Sequence, residues 1–216
     1  MDYTYFSVQY DLQVLNAREQ GCLMLAYREE RINNTLLFFA KEHFKKTRKY
    51  LSQTALYKYL AFFEFLHLKK RGDMPLELNY RAMEHGPVPI EIYDHRYDKD
   101  FFQKVDFVEC LTKSGNSAII IKPKGMFEPD YFSENELQEL NQLIEIFAQS
   151  WIDSTIMSDT SHKTLRSWKI TYENSPNDFI DPKEEFSRDI ERLSDKEITA
   201  IEERYLLQRK MRLKSC

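Results

Sequence analysis

Apolar residues change their spacing near residue 32, from every second position to the spacing of a helix. Close to the N-terminus, four apolar residues alternate with polar ones in the manner of a half-buried strand: Val8, Tyr10, Leu12 and Val14. Residues 23–27 can supply a partner strand, whereas apolar side chains from Ile32 to His43 recur at helical spacing. We therefore predict a small β appendage over residues 1–30 and the first helix of the main domain from Ile32.

A second, strongly apolar helix is predicted between Ser52 and Gly72. Serine is favoured at helix N-caps, and residues 69–71 supply the basic last turn that commonly precedes a glycine stop. The helix has one broad face, formed by Ala55, Leu56, Tyr59, Leu60, Phe63, Leu66 and His67. Phe62 and Phe65 widen this face, so we expect the helix to be buried on most sides.

One β-hairpin is predicted in the middle of the chain. Residues 105–111 and 118–121 are rich in β-branched and apolar side chains, and the polar residues 113–117 between them include a glycine. Pro123 then closes the second strand.

Start signals mark the helices that follow. Ser133 and Glu136 have the spacing of a capping box. An amphipathic stripe follows them, made of Leu137, Leu140, Ile144, Phe147 and Trp151. Residues 181–184 combine a cap, a proline and an acid, and Ser194 with Glu197 repeats the box spacing. We therefore predict two further helices at the C-terminus.

Composition agrees with a mainly helical protein. Of the 216 residues, 42% are hydrophobic, which supplies enough apolar surface for a folded core, and only five are glycine, which disfavours a turn-rich all-β fold. We predict an α+β fold that is predominantly helical, a compact helical domain with a small β-hairpin or sheet and the short β appendage at its N-terminus.

The net charge of the chain limits which partners it is expected to bind. A formal net charge of -4 disfavours binding along a nucleic-acid backbone, and the basic residues 41–49 are expected at a helix end, where cations are favoured. This cluster alone supports the alternative of a DNA-binding autoregulator.

The cysteine spacing and the distribution of apolar residues bear on the location of the protein. The three cysteines fit neither zinc nor disulfide spacing, and neither a leader pattern nor an eighteen-residue apolar run occurs. We expect a cytoplasmic protein that does not span a membrane.

The histidines do not form a recognisable catalytic or metal-binding pattern. The five are His43, His67, His85, His95 and His162, and none belongs to an HExxH or HxH motif. Ser161 precedes His162, but sequence neighbours seldom form a pair of nucleophile and base. We predict no catalytic residue, no metal and no cofactor. The alternative is a hydrolase or nucleic-acid enzyme that uses His67, His85 or His162.

The segment from Tyr80 to Pro89 stands apart from the rest of the chain. Pro87 and Pro89 restrict the backbone on both sides of Val88, and Gly86 can take a positive φ. Such a segment can simply lead the chain into a helix with Pro89 in the first turn, or it can present a rigid surface to a partner. The residues alone favour neither interpretation.

Several short motifs follow one another along the chain: Leu56-Tyr57-Lys58-Tyr59-Leu60, Phe65-Leu66-His67, Gly72, Tyr80, Glu84-His85-Gly86-Pro87-Val88-Pro89, Phe132-Ser133-Glu134 with Leu137, Met157-Ser158, Ser161-His162 and Trp168. In this order and spacing they resemble the Panacea domain, the SocA-like antitoxin family of bacteria and phages. The resemblance spans residues 31–185. One departure is Ser167, because the family usually has a proline before the tryptophan.

The resemblance implies an antitoxin that neutralises a toxin encoded nearby by direct protein contact. SocA delivers its toxin to an ATP-dependent protease, so an adaptor for proteolysis is the alternative. The candidate partner-binding residues are Tyr57, Tyr80, His85, Pro87, Val88, Pro89, His162 and Trp168. Residues 31–185 would form the shared domain. The N-terminal appendage, residues 1–30, and a C-terminal helical extension, residues 186–216, are candidates for partner-specific contacts.

Overall fold

The computed structural model describes most of the chain: residues 27–112, 115–194 and 196–213. Helices make up 55% and strands 14% of the structure, which confirms the predicted, predominantly helical α+β fold. Within these residues, every helix is too short or too polar to cross a lipid bilayer.

Helix α1, Arg28–Thr47, begins four residues before the predicted start at Ile32. Arg28 stabilises this early start, because its guanidinium donates to the carboxylate of Glu91 at 2.7 Å and to the carbonyl of Leu76 at 3.0 Å. Residues 28–30 are therefore helical and do not belong to a β appendage. The predicted strands over residues 1–26 lie outside the described residues.

Helix α2, Gln53–Arg71, occupies the centre of the core and confirms its prediction. The hydroxyl of Ser52 accepts a backbone hydrogen bond in the first turn at 3.3 Å, and Gly72 ends the helix with a φ of +85°. Thirteen of the nineteen residues are buried. The ring of Tyr59 stacks on Phe39 of α1 at 4.7 Å, so the two long helices share an aromatic interface.

Two small antiparallel sheets accompany the helices. Strands β1 (Leu51–Ser52), β4 (Val105–Leu111) and β5 (Ser117–Pro123) form one sheet in the order β1-β5-β4. Strands β2 (Tyr80–Met83) and β3 (Gly86–Pro89) form the other and lead into the short helix α3 (Ile90–His95). The predicted β4–β5 hairpin is confirmed, with Val105 opposite Pro123. Phe107 and Ile121 of this hairpin are buried, and α1 packs against the sheet.

The third predicted helix is confirmed as α4, Glu134–Phe147, which follows a 3₁₀ turn at Pro129–Tyr131. The capping box forms as expected: the N–H of Ser133 donates to Glu136 at 2.8 Å, and the N–H of Glu136 donates to Ser133 at 3.3 Å. The predicted stripe is too long, because Trp151 lies beyond the helix end and is 69% exposed. Two shorter helices follow, α5 (Ser154–Thr164) and α6 (Arg166–Asn174).

The C-terminal segment differs most from its prediction. Its elements are two 3₁₀ turns, Pro182–Glu185 and Ile190–Arg192, and helix α7, Ala200–Leu213. Ser194 and Glu197 do share hydrogen bonds, but α7 begins only after Thr199, whose N–H donates to Glu202 at 2.8 Å. The side chain of Arg188 also donates to Glu202, at 2.8 Å. The second of the two similar cap signals is therefore accompanied by a contact from outside the helix, from Arg188.

Candidate functional site

The segment from Tyr80 to Pro89 is a β-hairpin rather than an irregular turn. Strands β2 and β3 pair from Tyr80 opposite Pro89 to Met83 opposite Gly86, and a two-residue turn connects them. Gly86 has a φ of +99°, as predicted. Pro89 is the N-cap of α3 and does not lie in its first turn. Paired backbone hydrogen bonds, in addition to the prolines, thus fix the direction of the chain.

Residues 177–180 extend this hairpin on the β2 side. The N–H of Ile180 donates to the carbonyl oxygen of Tyr80 at 2.8 Å. Next to this bond Arg81 pairs with Phe179, and the guanidinium of Arg81 lies 4.6 Å from the centre of the Phe179 ring. Strand β2 is therefore flanked on both edges, and Phe179 is presented at the surface with 51% of its area exposed.

On the β3 side, the hairpin lies so close to helices α2 and α5 that Gly86 has no space for a side chain. A Cβ atom at this position would lie 2.7 Å from Nζ of Lys58 and 2.7 Å from Oγ of Ser161. In a closely packed interior such a contact forces the neighbours to move. Glycine is thus required for two reasons, the positive φ and the contact with Lys58 and Ser161.

Lys58 carries a buried amino group. The residue is only 1% exposed, and its Nζ donates to the carbonyl oxygen of Pro87 at 3.3 Å. Burial lowers the pKa of Lys58 to about 7, because the charged form loses its hydration. Lys58 therefore ties α2 to β3 while its ionisable group is kept away from water.

The histidine and tryptophan of the later motifs lie beside the same hairpin. The imidazole of His162 stacks on the indole of Trp168 with ring centres 4.0 Å apart, and Nε1 of Trp168 donates to the carbonyl oxygen of Met83 at 3.1 Å. Burial lowers the pKa of His162, and the positive charge of Lys58 lowers it further. The neutral imidazole is thus favoured, and its buried Nε2 has no hydrogen-bond partner among the described residues.

Ser167 replaces the family's usual proline and makes hydrogen bonds of its own. Its N–H and its hydroxyl both donate to the same carboxylate oxygen of Glu185, at 2.9 Å and 2.6 Å. A proline lacks the N–H and could not make the first of these bonds. Trp168, the next residue along the chain, stacks on His162 in the presence of this serine.

The structure brings the predicted candidates into one region but buries most of them. The inaccessible residues on α2 and the hairpin are Tyr57, Tyr80, Pro87, Val88 and Pro89. Trp168 is also buried, whereas His162 is partly exposed and His85 is exposed at the hairpin turn. Among the candidates, only the two histidines are placed to meet a partner directly. The buried residues could do so only by moving.

Three residues of this region had no predicted role: Lys58, Arg81 and Phe179. Lys58 interrupts an apolar helical run, but a lysine in a helix usually reaches water, so this signal alone does not predict burial. Arg81 and Phe179 meet only because residues 177–180 return to β2, and no local pattern relates them.

His67 lies outside this region and has a different role. It is nine residues from Lys58 along α2, about 14 Å at the rise of an α-helix. Its Nδ1 lies 2.7 Å from a carboxylate oxygen of Glu139, and its Nε2 lies 3.6 Å from Asp73. Burial alone would lower the pKa of His67, but hydrogen bonds to Asp73 and Glu139 outweigh it and raise the pKa to about 9. His67 therefore joins α2 to α4 as a charged group.

The described residues do not gather into a metal centre. Nowhere among them do three or more histidine, cysteine or acidic side chains form a group that could hold a metal ion. His85 and His162 lie near the hairpin, and His67 lies near the far end of α2. The three histidines of the predicted alternative, a hydrolase, are thus divided between two places.

Comparison with known families accounts for the motifs that converge on the hairpin. The family model described as antitoxin SocA-like, Panacea domain, matches residues 56–169, just over half of the chain. This range begins at Leu56, the second residue of the buried run in α2, and ends one residue beyond Trp168. Comparisons with curated proteins and with solved structures gave no match. The motifs, their convergence and the extent of the match lead to one conclusion: the chain belongs to the SocA-like antitoxin family and contains its Panacea domain.

Proposed function

We propose that this protein is a cytoplasmic antitoxin that neutralises a toxin, encoded nearby, by direct protein contact. The observation that carries the proposal is the family match over residues 56–169, whose motifs converge on the β2–β3 hairpin and its supports. A rigid hairpin supports a binding role, because it can contact a partner without first being ordered at the cost of entropy.

Burial of the reactive side chains near the hairpin supports binding rather than catalysis. Lys58 is 1% exposed and Ser161 is 0% exposed, and Gly86 lies directly against both. A substrate would have to displace β3 to reach either side chain. We therefore propose that the protein has no catalytic residue, metal or cofactor.

The proposed contact surface consists of the exposed turn of the hairpin and the Arg81–Phe179 pair. His85 is exposed in the turn, and Phe179 is 51% exposed with one face covered by the guanidinium of Arg81. Aromatic and arginine side chains often carry much of the binding energy at protein interfaces, although tryptophan and tyrosine are more typical than phenylalanine. His162 is partly exposed and can add to this surface.

Co-expression with the protein encoded by the adjacent reading frame tests the proposal. We expect the antitoxin to relieve growth arrest and to co-purify with the toxin. The double variant His85→Ala/Phe179→Ala should bind at least about tenfold more weakly, as expected for the loss of a hot spot. Trp151→Ala is the matched control, because Trp151 is an exposed aromatic residue on the connection between α4 and α5. A wild-type chain that neither relieves arrest nor forms a complex would refute the proposal.

Delivery of the toxin to an ATP-dependent protease is the alternative mode of action. Two basic residues of α7 are engaged within the chain: Arg204 lies 3.1 Å from Asp73, and Arg209 lies 2.6 Å from Glu191. These ion pairs support a structural role for the two arginines over a contact with a protease. A toxin half-life that shortens in the presence of the antitoxin would favour delivery, and an unchanged half-life would favour blocking.

A further inference from the structure

Strand β4 is the longer of the two edge strands of the three-stranded sheet. In its ladder with β5, the N–H of Lys124 donates to the carbonyl of Lys104, and the N–H of Thr112 donates to the carbonyl of Asn116, both at 2.8 Å. These bonds fix which residues pair, and in this register the even-numbered residues of β4 exchange hydrogen bonds with β5. The odd-numbered residues consequently direct their N–H and C=O groups away from β5.

The outward backbone groups at the C-terminal end of β4 are free to pair with another strand. Within the described ranges, no hydrogen bond reaches the outward groups of Val105, Phe107, Glu109 or Leu111. Val105 and Phe107 are buried, with 1% and 9% of their area exposed, so the accessible groups are those of Glu109 and Leu111. An exposed, unpaired strand edge is a template for strand addition, which proteins commonly prevent with lysine or proline. Strand β4 contains neither residue type.

A groove adjoins the other half of this strand. Residues 105–107 of β4 line one side of it, and residues 96–99 with Phe102 line the rest. The groove has a volume of about 230 Å³. A segment that pairs with residues 109–111 would therefore end beside this groove.

Exposed aromatic and apolar side chains lie beside the groove and at the C-terminal end of β4. Tyr97 is 51% exposed and Leu111 is 75% exposed. The guanidinium of Arg96 lies 4.1 Å from the ring centre of Tyr93 and 4.9 Å from that of Tyr97, a combination of side chains typical of interface hot spots. Glu109 accepts a hydrogen bond from Tyr97 at 2.6 Å, and its charge favours a basic side chain opposite it on an added strand.

We propose that an extended segment of the toxin adds as a strand to the open edge of β4, with a basic residue opposite Glu109 and an apolar residue against Leu111. The inference rests on the proposed function. In this mode of recognition the backbone supplies much of the affinity, and the alternating side chains of the added segment supply the specificity.

Two pairs of variants of the full-length chain separate backbone pairing from side-chain contact. Glu109→Pro removes an outward N–H and places a ring on the open edge, whereas Glu109→Ala removes only the side chain. Leu111→Pro and Leu111→Ala repeat the comparison at the strand end, where proline disturbs the fold least. Affinity for the toxin, the protein encoded by the adjacent reading frame, is measured by calorimetry after circular dichroism has established that each variant is folded. We expect each proline variant to bind at least about tenfold more weakly than its alanine counterpart.

Other outcomes would overturn the inference. If neither the proline nor the alanine variants lose affinity, the edge is not used. If the proline and alanine variants lose affinity equally, the side chains alone bind. If residues 1–26 of the same chain or a second copy occupied the edge, Glu109→Pro would lower the melting temperature or the oligomeric state of the isolated protein relative to Glu109→Ala. A wild-type chain that binds no toxin would overturn the proposed function as well, whereas loss of the strand contact alone would leave it standing.

Discussion

Substitution of Gly86 by alanine tests the packing between the β2–β3 hairpin and the two helices that support it. The first cost is conformational, since an L-residue in the left-handed region is disfavoured by about 1–2 kcal/mol. The second cost is steric, because the new Cβ would lie 2.7 Å from Nζ of Lys58 and from Oγ of Ser161. A displaced Lys58 also loses its hydrogen bond to Pro87, which costs about 1–3 kcal/mol for a buried polar group. We expect Gly86→Ala to lower the free energy of unfolding by about 2–5 kcal/mol.

Gly125→Ala is the matched control for the conformational cost. Gly125 also has a positive φ, +75°, but in the described structure no atom lies within 4 Å of the position that a Cβ would occupy. Gly125→Ala should therefore lower the free energy of unfolding by only about 1–2 kcal/mol. The difference between the two variants isolates the contact of Gly86 with Lys58 and Ser161.

Urea unfolding followed by circular dichroism measures these free energies, provided that the m-value does not change. Lys58→Ala removes Nζ and Cε of the lysine, which the new Cβ would meet at 2.7 Å and 2.9 Å. In that background, the cost of Gly86→Ala should fall by about 1 kcal/mol or more, because residues in contact do not contribute additively. Equal costs for Gly86→Ala and Gly125→Ala, or costs that are independent of Lys58, would refute the reasoning.

Three further predictions concern groups that hold the hairpin and α2. The pKa of His67 is raised to about 9, so the contribution of His67 to the free energy of unfolding is complete below pH 6.5 and is lost as the pH rises through 9. Urea titrations of wild type and His67→Gln measure this contribution. The difference in unfolding free energy, on the order of 2 kcal/mol, should shrink over this range. The pKa of Lys58 is lowered to about 7, so wild type should gain stability relative to Lys58→Met between pH 7 and the ordinary lysine pKa of 10.5, and a constant difference would contradict this. Trp168→Phe loses the hydrogen bond to Met83 and should cost about 1–2 kcal/mol, measured as a lower melting temperature.

Elements that begin and end with local signals could be predicted from the sequence. Ser52 and Gly72 bound α2 as expected, and the Ser133–Glu136 box starts α4. In these cases the residues that satisfy the free N–H and C=O groups of the helix ends lie within a few positions of them. The resemblance to the Panacea domain was also visible in the sequence, and the family match over residues 56–169 confirms it.

Features that depend on distant residues could not be predicted. Pro87 and Pro89 argue locally against a strand, yet β3 pairs with β2 over its full length. The spacing of serine or threonine and glutamate occurs both at Ser194 and at Thr199, and only the second starts α7, where Arg188 binds the glutamate. The burial of Lys58 likewise depends on the return of β3 and α5 to the same side of α2.

The division between buried motif residues and exposed candidates changes how binding experiments must be interpreted. Pro87, Val88 and Trp168 are buried, so substitutions there first change the packing of the hairpin. They would alter the binding of a toxin only by changing the shape of the hairpin. His85 is exposed, and its truncation should alter binding with little change in the urea midpoint. A loss of affinity that accompanies a lowered midpoint therefore reports the scaffold, whereas a loss at constant midpoint reports a contact. By this criterion, Gly86→Ala belongs to the first class, and the exposed residues His85 and Phe179 belong to the second.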